Sequence, residues 1–432
     1  MKKFVIVIVA ITTILLVSPY FVGKAVETKY QTIIQQVQKN NQFSVKNSSF
    51  ERNWFSAKAV NTLVIPLRTN AAIKVDFPKE LTIKVSENIN FGPIILSKIG
   101  LEFGLARSIA TVDIQQAFIN DDLADQINKK LHVQSFVSFT NDYITDINFG
   151  GVDTQLDDAQ VIVFPLTAKY TVKNERYIIA NIDWQGLKII NKKMELTIGS
   201  TKVLLDEKLV AGELYANTAL FNGDVDFAMT KISAQGADRK ELFSLNNIKM
   251  NGGSVVTDKL MSLSFTYHVD ELNLPFQKFK QANLSLTIDR LDVDVLQLFN
   301  KVVTTSTSDP AKLFTDNSKQ FLTILAQLLT QDPSFSITNL SVETTSGKIQ
   351  SQLQLSIDKK RFNAANAASF MTAANVNASG SAPVEFFQKM GMMPMIDHYI
   401  QQGFVIRNDN KLNFKMNFSQ GKLQLNDKVL PL

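Results

Sequence analysis

A two-residue hydrophobic period recurs along most of this chain, and it restricts the fold more than any other feature. Leu81, Ile83, Val85, Ile89 and Phe91 share one parity until Gly92-Pro93 interrupts them. Ala168, Tyr170 and Val172 alternate, Lys173 to Arg176 can turn, and Ile178, Ala180, Ile182 and Trp184 alternate back. The same pattern marks Leu214 to Leu220, Leu263-Phe265-Tyr267-Val269, Leu284-Leu286-Ile288, Leu353-Leu355-Ile357 and Leu412-Phe414-Met416-Phe418. Alternation places apolar side chains on one face and polar ones on the other, as in antiparallel strands with one dry face. So many strands predict one or two large twisted sheets. The expected fold class is mainly β, of the α+β kind.

Helical periodicity interrupts the strands in few places. Phe118, Leu123, Ile127 and Leu131 form one stripe within 115–130. Phe314, Phe321, Ile324, Leu325, Leu328 and Leu329 form another within 311–330, between Asp309-Pro310 and Asp332-Pro333. Both read as amphipathic helices covering the dry face of a sheet. Two weak internal echoes accompany them. Gly347-Lys348 and Gly421-Lys422 each sit at a hairpin turn, and 284–299 and 376–390 each run from strand to helix. Asp292 and Pro383 fall at the two helix starts.

Lys2 and Lys3 precede Phe4 to Val22, a run without charge. As a helix its nineteen residues would extend roughly 28 Å, about the hydrocarbon thickness of a bilayer. The expectation is an uncleaved transmembrane anchor over 4–22. It has a cytoplasmic tip at 1–3 and everything after Gly23 on the opposite side. Residues 23–42 read as a helical stalk, with Val26, Tyr30, Ile33, Ile34 and Val37 on one stripe. That stripe serves either packing against the domain or self-association. The remainder, 43–432, is the β-rich domain, with possible halves near 43–255 and 256–432.

Composition removes several classes of chemistry. The chain of 432 residues has no cysteine, which excludes disulfides, thiolate metal sites and a cysteine nucleophile. His132, His268 and His398 are far apart and lack metal-binding spacing. The net charge is +5 with no clustered basic stripe, which argues against nucleic acid. Phenylalanine, at 30 residues against two tryptophans, reads as core filling rather than as a carbohydrate platform.

Acidic residues gather at Asp121-Asp122, at Asp157-Asp158 and at Asp289, Asp292 and Asp294. Carboxylate pairs can bind a cation or act as acid and base. Without the spacing of a calcium loop they read as turn and helix-cap residues. No nucleophile elbow, P-loop or dinucleotide fingerprint occurs, so no catalytic, metal or cofactor-binding residue is assigned and the chain is expected not to be an enzyme. Residues 390–396 (MGMMPMI) place four methionines beside Gly391 and Pro394 and read as a flexible apolar loop.

The order of these features resembles the YdgA-like family of bacterial envelope proteins. The resemblance rests on the lysine-flanked apolar run leading into Tyr20, Gly23 and Glu27, and on Phe91-Gly92-Pro93-Ile94. It rests also on Leu284 and Leu286 with their following Asp and helix, and on Gly421, Leu423, Leu425 and Asn426 near the end. Asn90 stands where the family favours histidine, and Asp427 where glycine is common. The resemblance implies a single-pass inner-membrane protein with a periplasmic domain, and supplies no reaction. Two functions fit. One is a non-enzymatic membrane-anchored protein binding lipid or another apolar ligand along an incompletely covered sheet, with Phe265, Tyr267, Phe414 and Phe418 as dry-face candidates. The other is a protein that tethers or assembles envelope components through an exposed apolar patch or strand edge.

Overall fold

The computed structural model describes residues 2–38, 44–66, 80–97, 100–115, 121–156, 158–216, 218–306, 318–366, 368–426 and 428–430. Strands dominate, as the alternation predicts. The chain divides into two compact units. Unit 1 comprises residues 1–187 and 204–219, and unit 2 comprises 188–203 and 220–432.

Unit 1 begins with helix α1 (Lys2–Gln38). Among the described residues no helix is long and apolar enough to cross a membrane. This corrects the expected transmembrane anchor at 4–22, and with it the bilayer as partner and the single-pass inner-membrane topology with a cytoplasmic N-terminus and a periplasmic domain. The side chains of residues 2–15 lie outside the described part. From Leu16 onward the physical reason for the correction is visible. Val22, the last residue of the run, lies with Val26 and Tyr30 against Ala57, Ala59, Ile89, Phe91 and Ala106, while Leu16 and Phe21 stay exposed. A Cβ built on Gly23 would stand 2.6 Å from the Phe91 ring, so helix and sheet meet there at the closest approach a glycine permits. Lys24, Glu27 and Lys29 then make the next turns polar. Val26 and Tyr30 of the stalk stripe thus pack on the sheet.

The strands of unit 1 follow as β1 (Ser44–Arg52), β2 (Ser56–Pro66), β3 (Glu80–Phe91), β4 (Ile94–Ser97), β5 (Gly100–Phe103) and β6 (Ala106–Gln115). After helix α2 (Asp121–Lys130) come β7 (Leu131–Val137), β8 (Tyr143–Phe149), β9 (Val152–Leu156), β10 (Ala159–Val163), β11 (Leu166–Lys173) and β12 (Tyr177–Trp184). The antiparallel order is β1-β2-β3-β6-β7-β8-β11-β12. Strands β4 and β5 form a separate two-stranded hairpin. The predicted turn at 173–176 is tight, with Asn174 and Glu175 both left-handed. Helix α2 buries Leu123 and contacts β6 to β9, so it covers the sheet. Phe118, also placed on its stripe, lies outside the described residues, and Leu131 belongs to β7 instead.

Strands β13 (Leu187–Ile190), β14 (Met194–Ile198) and β15 (Thr201–Ala211) fall where the chain passes between units. Residues 214–216 and 218 of the strand expected at Leu214 to Leu220 are turns and bends instead, after the left-handed Gly212, and Leu220 already opens the next strand. Unit 2 then builds β16 (Leu220–Gly236), β17 (Glu241–Thr257), β18 (Leu260–Leu274), β19 (Gln277–Asp292), β20 (Ser334–Thr344) and β21 (Gly347–Ile357). It ends with β22 (Ala374–Pro383), β23 (Ile406–Asn408), β24 (Lys411–Ser419), β25 (Lys422–Leu425) and β26 (Lys428–Leu430). From β16 to β22, and on to β24, each strand pairs antiparallel with the next.

Helix α3 (Val293–Ser306) starts where the Asp292 carboxylate accepts the Val295 N–H at 3.0 Å. Helix α4 (Ser318–Leu328) occupies part of the predicted 311–330, and Asp309, Pro310 and Phe314 lie outside the described residues. It packs mainly on α3, and the stripe reaches the sheet only at its end, where Leu329 lies against Ile357 and Ala374. Its Ile324 is buried with Val302 of α3, Phe321 stacks on Phe299, and Leu325 remains 38% exposed. Three short helices follow: α5 (Ser369–Ala373), α6 (Val384–Lys389), which begins after Pro383, and α7 (Met393–Gln402).

Candidate functional site

Cross-strand register turns the alternating residues of unit 2 into continuous apolar rows, since directly opposed residues share a face. One row runs Val225, Gly252, Phe265, Leu286, Ile337, Leu353, Ala378 and Met416 over eight strands. The next row over runs Phe227, Met250, Tyr267, Leu284 and Leu340, and on through Ser351 and Gly380 to Phe414. No residue of either row is buried. Leu340 is 44% and Tyr267 38% exposed. The Phe414 ring lies on Gly380, where a Cβ would stand 2.5 Å from it, so the missing side chain makes room for an aromatic. A shallow apolar depression of about 360 Å³ opens along the second row, between Tyr267, Val269, Leu284, Leu340 and Ile349. On one side the apolar band is bordered by Glu271, Lys280, Glu343 and Lys348, opposed in sequence with alternating charge.

Three of the four dry-face candidates therefore belong to one uncovered band, and Phe418 is half-buried beside Leu355 and Ala373. The band is open rather than closed over a cavity. Single strands identify its residues by parity. Register between strands, which the sequence does not specify, makes them a surface.

Unit 1 carries a second apolar surface, at one end of its sheet. The β1–β2 turn brings Trp54 and Phe55, the β3–β6 connection is the hairpin β4–β5, and the β7–β8 turn brings Phe139. In the hairpin, Ile94 faces Phe103 and Leu96 faces Leu101, so four apolar residues share one face. Leu96 is 79% and Phe103 61% exposed, whereas Ile95 on the opposite face is buried. The Trp54 indole N–H donates to the Leu16 carbonyl at 2.7 Å, and the Tyr20 and Trp54 rings lie 5.2 Å apart. Phe91 and Gly92 hold this end together. Gly92 donates its N–H to the Leu105 carbonyl, and a Cβ there would meet the Gly104 carbonyl oxygen at 1.6 Å. The motif 90–94 thus has a packing role.

A groove of about 870 Å³ runs between α1 and the sheet of unit 1, lined by Phe21, Val26, Ile33, Ile89, Val137 and Tyr143 among others. At its side the Tyr30 hydroxyl donates to Glu87 at 2.9 Å and accepts from the Asn61 amide, and Ser108 donates to the other Glu87 oxygen at 2.7 Å. Burial, and then the Glu87 charge, push the Tyr30 hydroxyl well above the usual phenol range, so it stays protonated. Ion pairs Arg52–Glu27 and Lys29–Glu175 fasten the same helix from either side, at 2.8 and 2.6 Å.

The acidic clusters do not converge. Asp122 accepts from Gln126, Asp289 from Ser334, Asp292 caps α3 and Asp294 lies 3.7 Å from Lys259. Asp157 lies outside the described residues, as does the Asp121 side chain. Among the described residues no three His, Asp or Glu side chains are placed to hold a metal ion. The methionine segment is a loop only in its first three residues. Residues 390–392 are the short turn after α6 and residues 393–396 start α7, with Met393 packed near Ile396 and with Met390, Met392 and Met395 exposed. His398 lies 3.0 Å from the Gln402 amide nitrogen within α7, whereas His268 lies within a hydrogen-bonded group of four side chains. Sequence spacing gave no sign of that group, because its members come from three strands.

The family described as "Bacterial protein of unknown function (DUF945)" matches residues 1–432. Protein YdgA of Escherichia coli (strain K12) is 22% identical over 388 residues, which cover 81% of this chain and 73% of that protein. No solved structure matches.

Proposed function

Because the chain belongs to the DUF945 family of YdgA-like bacterial envelope proteins, we propose that it is a non-enzymatic connector that holds envelope components together. One observation carries this reading: each unit has its own uncovered apolar surface. A connector needs two contact surfaces, and contiguous exposed apolar area is where partner proteins gain affinity. The reading in which a membrane-anchored chain binds lipid or another apolar ligand is set aside. It presupposed a spanning helix, and none is present among the described residues.

Photo-crosslinking tests the proposal. A photoreactive residue at Leu340 or Phe414, and separately at Leu96 or Phe103, is expected to capture a different protein from each surface. Thr266 and Gln352, exposed on the opposite face of unit 2, serve as controls and should capture none. Equal capture at controls and surfaces, or one surface without any adduct, overturns the connector reading.

A further inference from the structure

We infer that Asn247, His268, Asp270 and Asn283 form a protonation-dependent clasp across three strands of unit 2, which fixes the sheet beside the apolar depression and makes partner capture there sensitive to pH. The link to capture rests on the function proposed above; the clasp itself does not.

The geometry begins with a backbone irregularity. Asn246 opposes Glu271 and Ile248 opposes Val269, while Asn247 and Asp270 between them lie outside the ladder pairs. On the next strand, Ala282 opposes Val269 and Lys280 opposes Glu271, and Gln281 again falls between. Asn247 and Gln281 both adopt left-handed backbone, with φ of 52° and 48°. Three adjacent strands are therefore irregular at one height. Asn283, next to that point on β19, also lines the apolar depression.

Side chains bridge the irregularity. Asn247 donates its amide N–H to Asp270 at 2.8 Å. The other Asp270 oxygen lies 2.6 Å from His268 Nε2. His268 Nδ1 lies 2.7 Å from Asn283 Oδ1. The Asn283 amide nitrogen is committed as donor to the Gln281 carbonyl at 2.7 Å, so its oxygen must accept from the ring. Both ring nitrogens thus face acceptors. Only the imidazolium can donate to both; the neutral ring leaves one nitrogen lone pair against an oxygen.

The charged groups acting on the ring are Asp270 on its own strand and Lys249 on β17, while β19 offers the uncharged Asn283. The Asn283 bond, then the Asp270 bond, raise the histidine above its ordinary 6.5, against smaller opposing effects of burial and Lys249. Asp270 is held below the usual carboxylate range, first by His268 and then by Asn247. A raised histidine contributes its stabilisation fully below the unfolded-state value. That contribution is lost as pH climbs through the raised one. The clasp is therefore closed below the raised value and opens as pH climbs through it.

Nitrogen-detected NMR of histidine-labelled full-length protein tests the clasp directly, with the His268 signal assigned by its loss in His268→Gln. His268 should titrate above 6.5 with both nitrogens protonated below its midpoint. Asp270→Asn should lower the midpoint by about one pH unit or more, and Asn283→Asp should raise it. Amide protection at 246–248, 269–271 and 280–283, corrected for intrinsic exchange, should fall as pH crosses the midpoint. Crosslinking from Leu340 should change across the same interval, while crosslinking from Leu96 in unit 1 should not. A midpoint at or below 6.5, or amide protection and Leu340 crosslinking that ignore it, overturns the inference. A titrating clasp with no Leu340 adduct at any pH overturns the connector reading and leaves the clasp standing.

Discussion

Replacing Phe91 with alanine is the most direct test of how α1 is held on unit 1. The ring is 2% exposed and lies between the sheet residues Ala57, Ala59, Ile89 and Ala106 and the helix residues Val22 and Val26. A phenylalanine buries roughly 150–250 Å². At about 25 cal/mol per Å² the whole side chain is worth about 4–6 kcal/mol, and alanine retains a small part of that. Measured Phe→Ala losses in cores run about 3–5 kcal/mol. The lower end is expected here, about 3 kcal/mol, because the cavity wall made by α1 at Gly23 can move inward. Both tryptophans, Trp54 and Trp184, lie in unit 1, so their fluorescence in a urea titration reports that unit. The midpoint should fall by about 1 M. Gly23→Ala supplies the second arm. Its Cβ would stand 2.6 Å from the Phe91 ring and should destabilise the native protein, yet cost almost nothing once the ring is gone. The two changes should therefore couple by about 1 kcal/mol or more. A loss below about 1 kcal/mol for Phe91→Ala, or strict additivity with Gly23→Ala, would refute the packing argument.

Three further outcomes follow from the same reasoning. Ile324→Ala should cost about 2–4 kcal/mol in thermal unfolding, whereas Leu325→Asp, on the exposed side of α4, should cost under about 1 kcal/mol. Asp292→Ala should lose about 1 kcal/mol with the α3 cap, measurable by the same melt, while Asp292→Asn should recover most of it. Tyr30→Phe should cost about 1–3 kcal/mol in urea unfolding, because Glu87 and Asn61 each lose a partner beside the groove.

The alternation along single strands was sufficient to place β3, β11, β12, β18, β19, β21 and β24, because burial of one face imposes a period of two whatever the neighbours are. Local signals also succeeded where the chemistry is local. Asp292 caps its helix, Pro383 precedes one, and the hairpin ending at Gly421 turns with Gln420 and Gly421 both left-handed. Failures came where the deciding contacts are distant. Gly23 reads as a span boundary until Phe91 is seen beneath it. The 311–330 stripe is equally apolar toward a sheet or a helix; α3 takes Phe321 and Ile324, and the sheet takes Leu329. Leu214 to Leu220 alternates, yet turns and bends take 214–216 and 218, and only Leu220 joins a strand.

Amino-acid order alone thus determined that this chain is β-rich, cysteine-free and built of strands with one apolar face. Tertiary structure alone decided that the faces of β16 to β24 join into an uncovered band, that three turns and a hairpin gather exposed apolar residues at one end of unit 1, and that His268 meets Asp270, Asn283 and Asn247. The physical reason is the same in each case. Parity within a strand is a property of the backbone, whereas register, burial and hydrogen-bond partnership are relations between segments far apart in the chain.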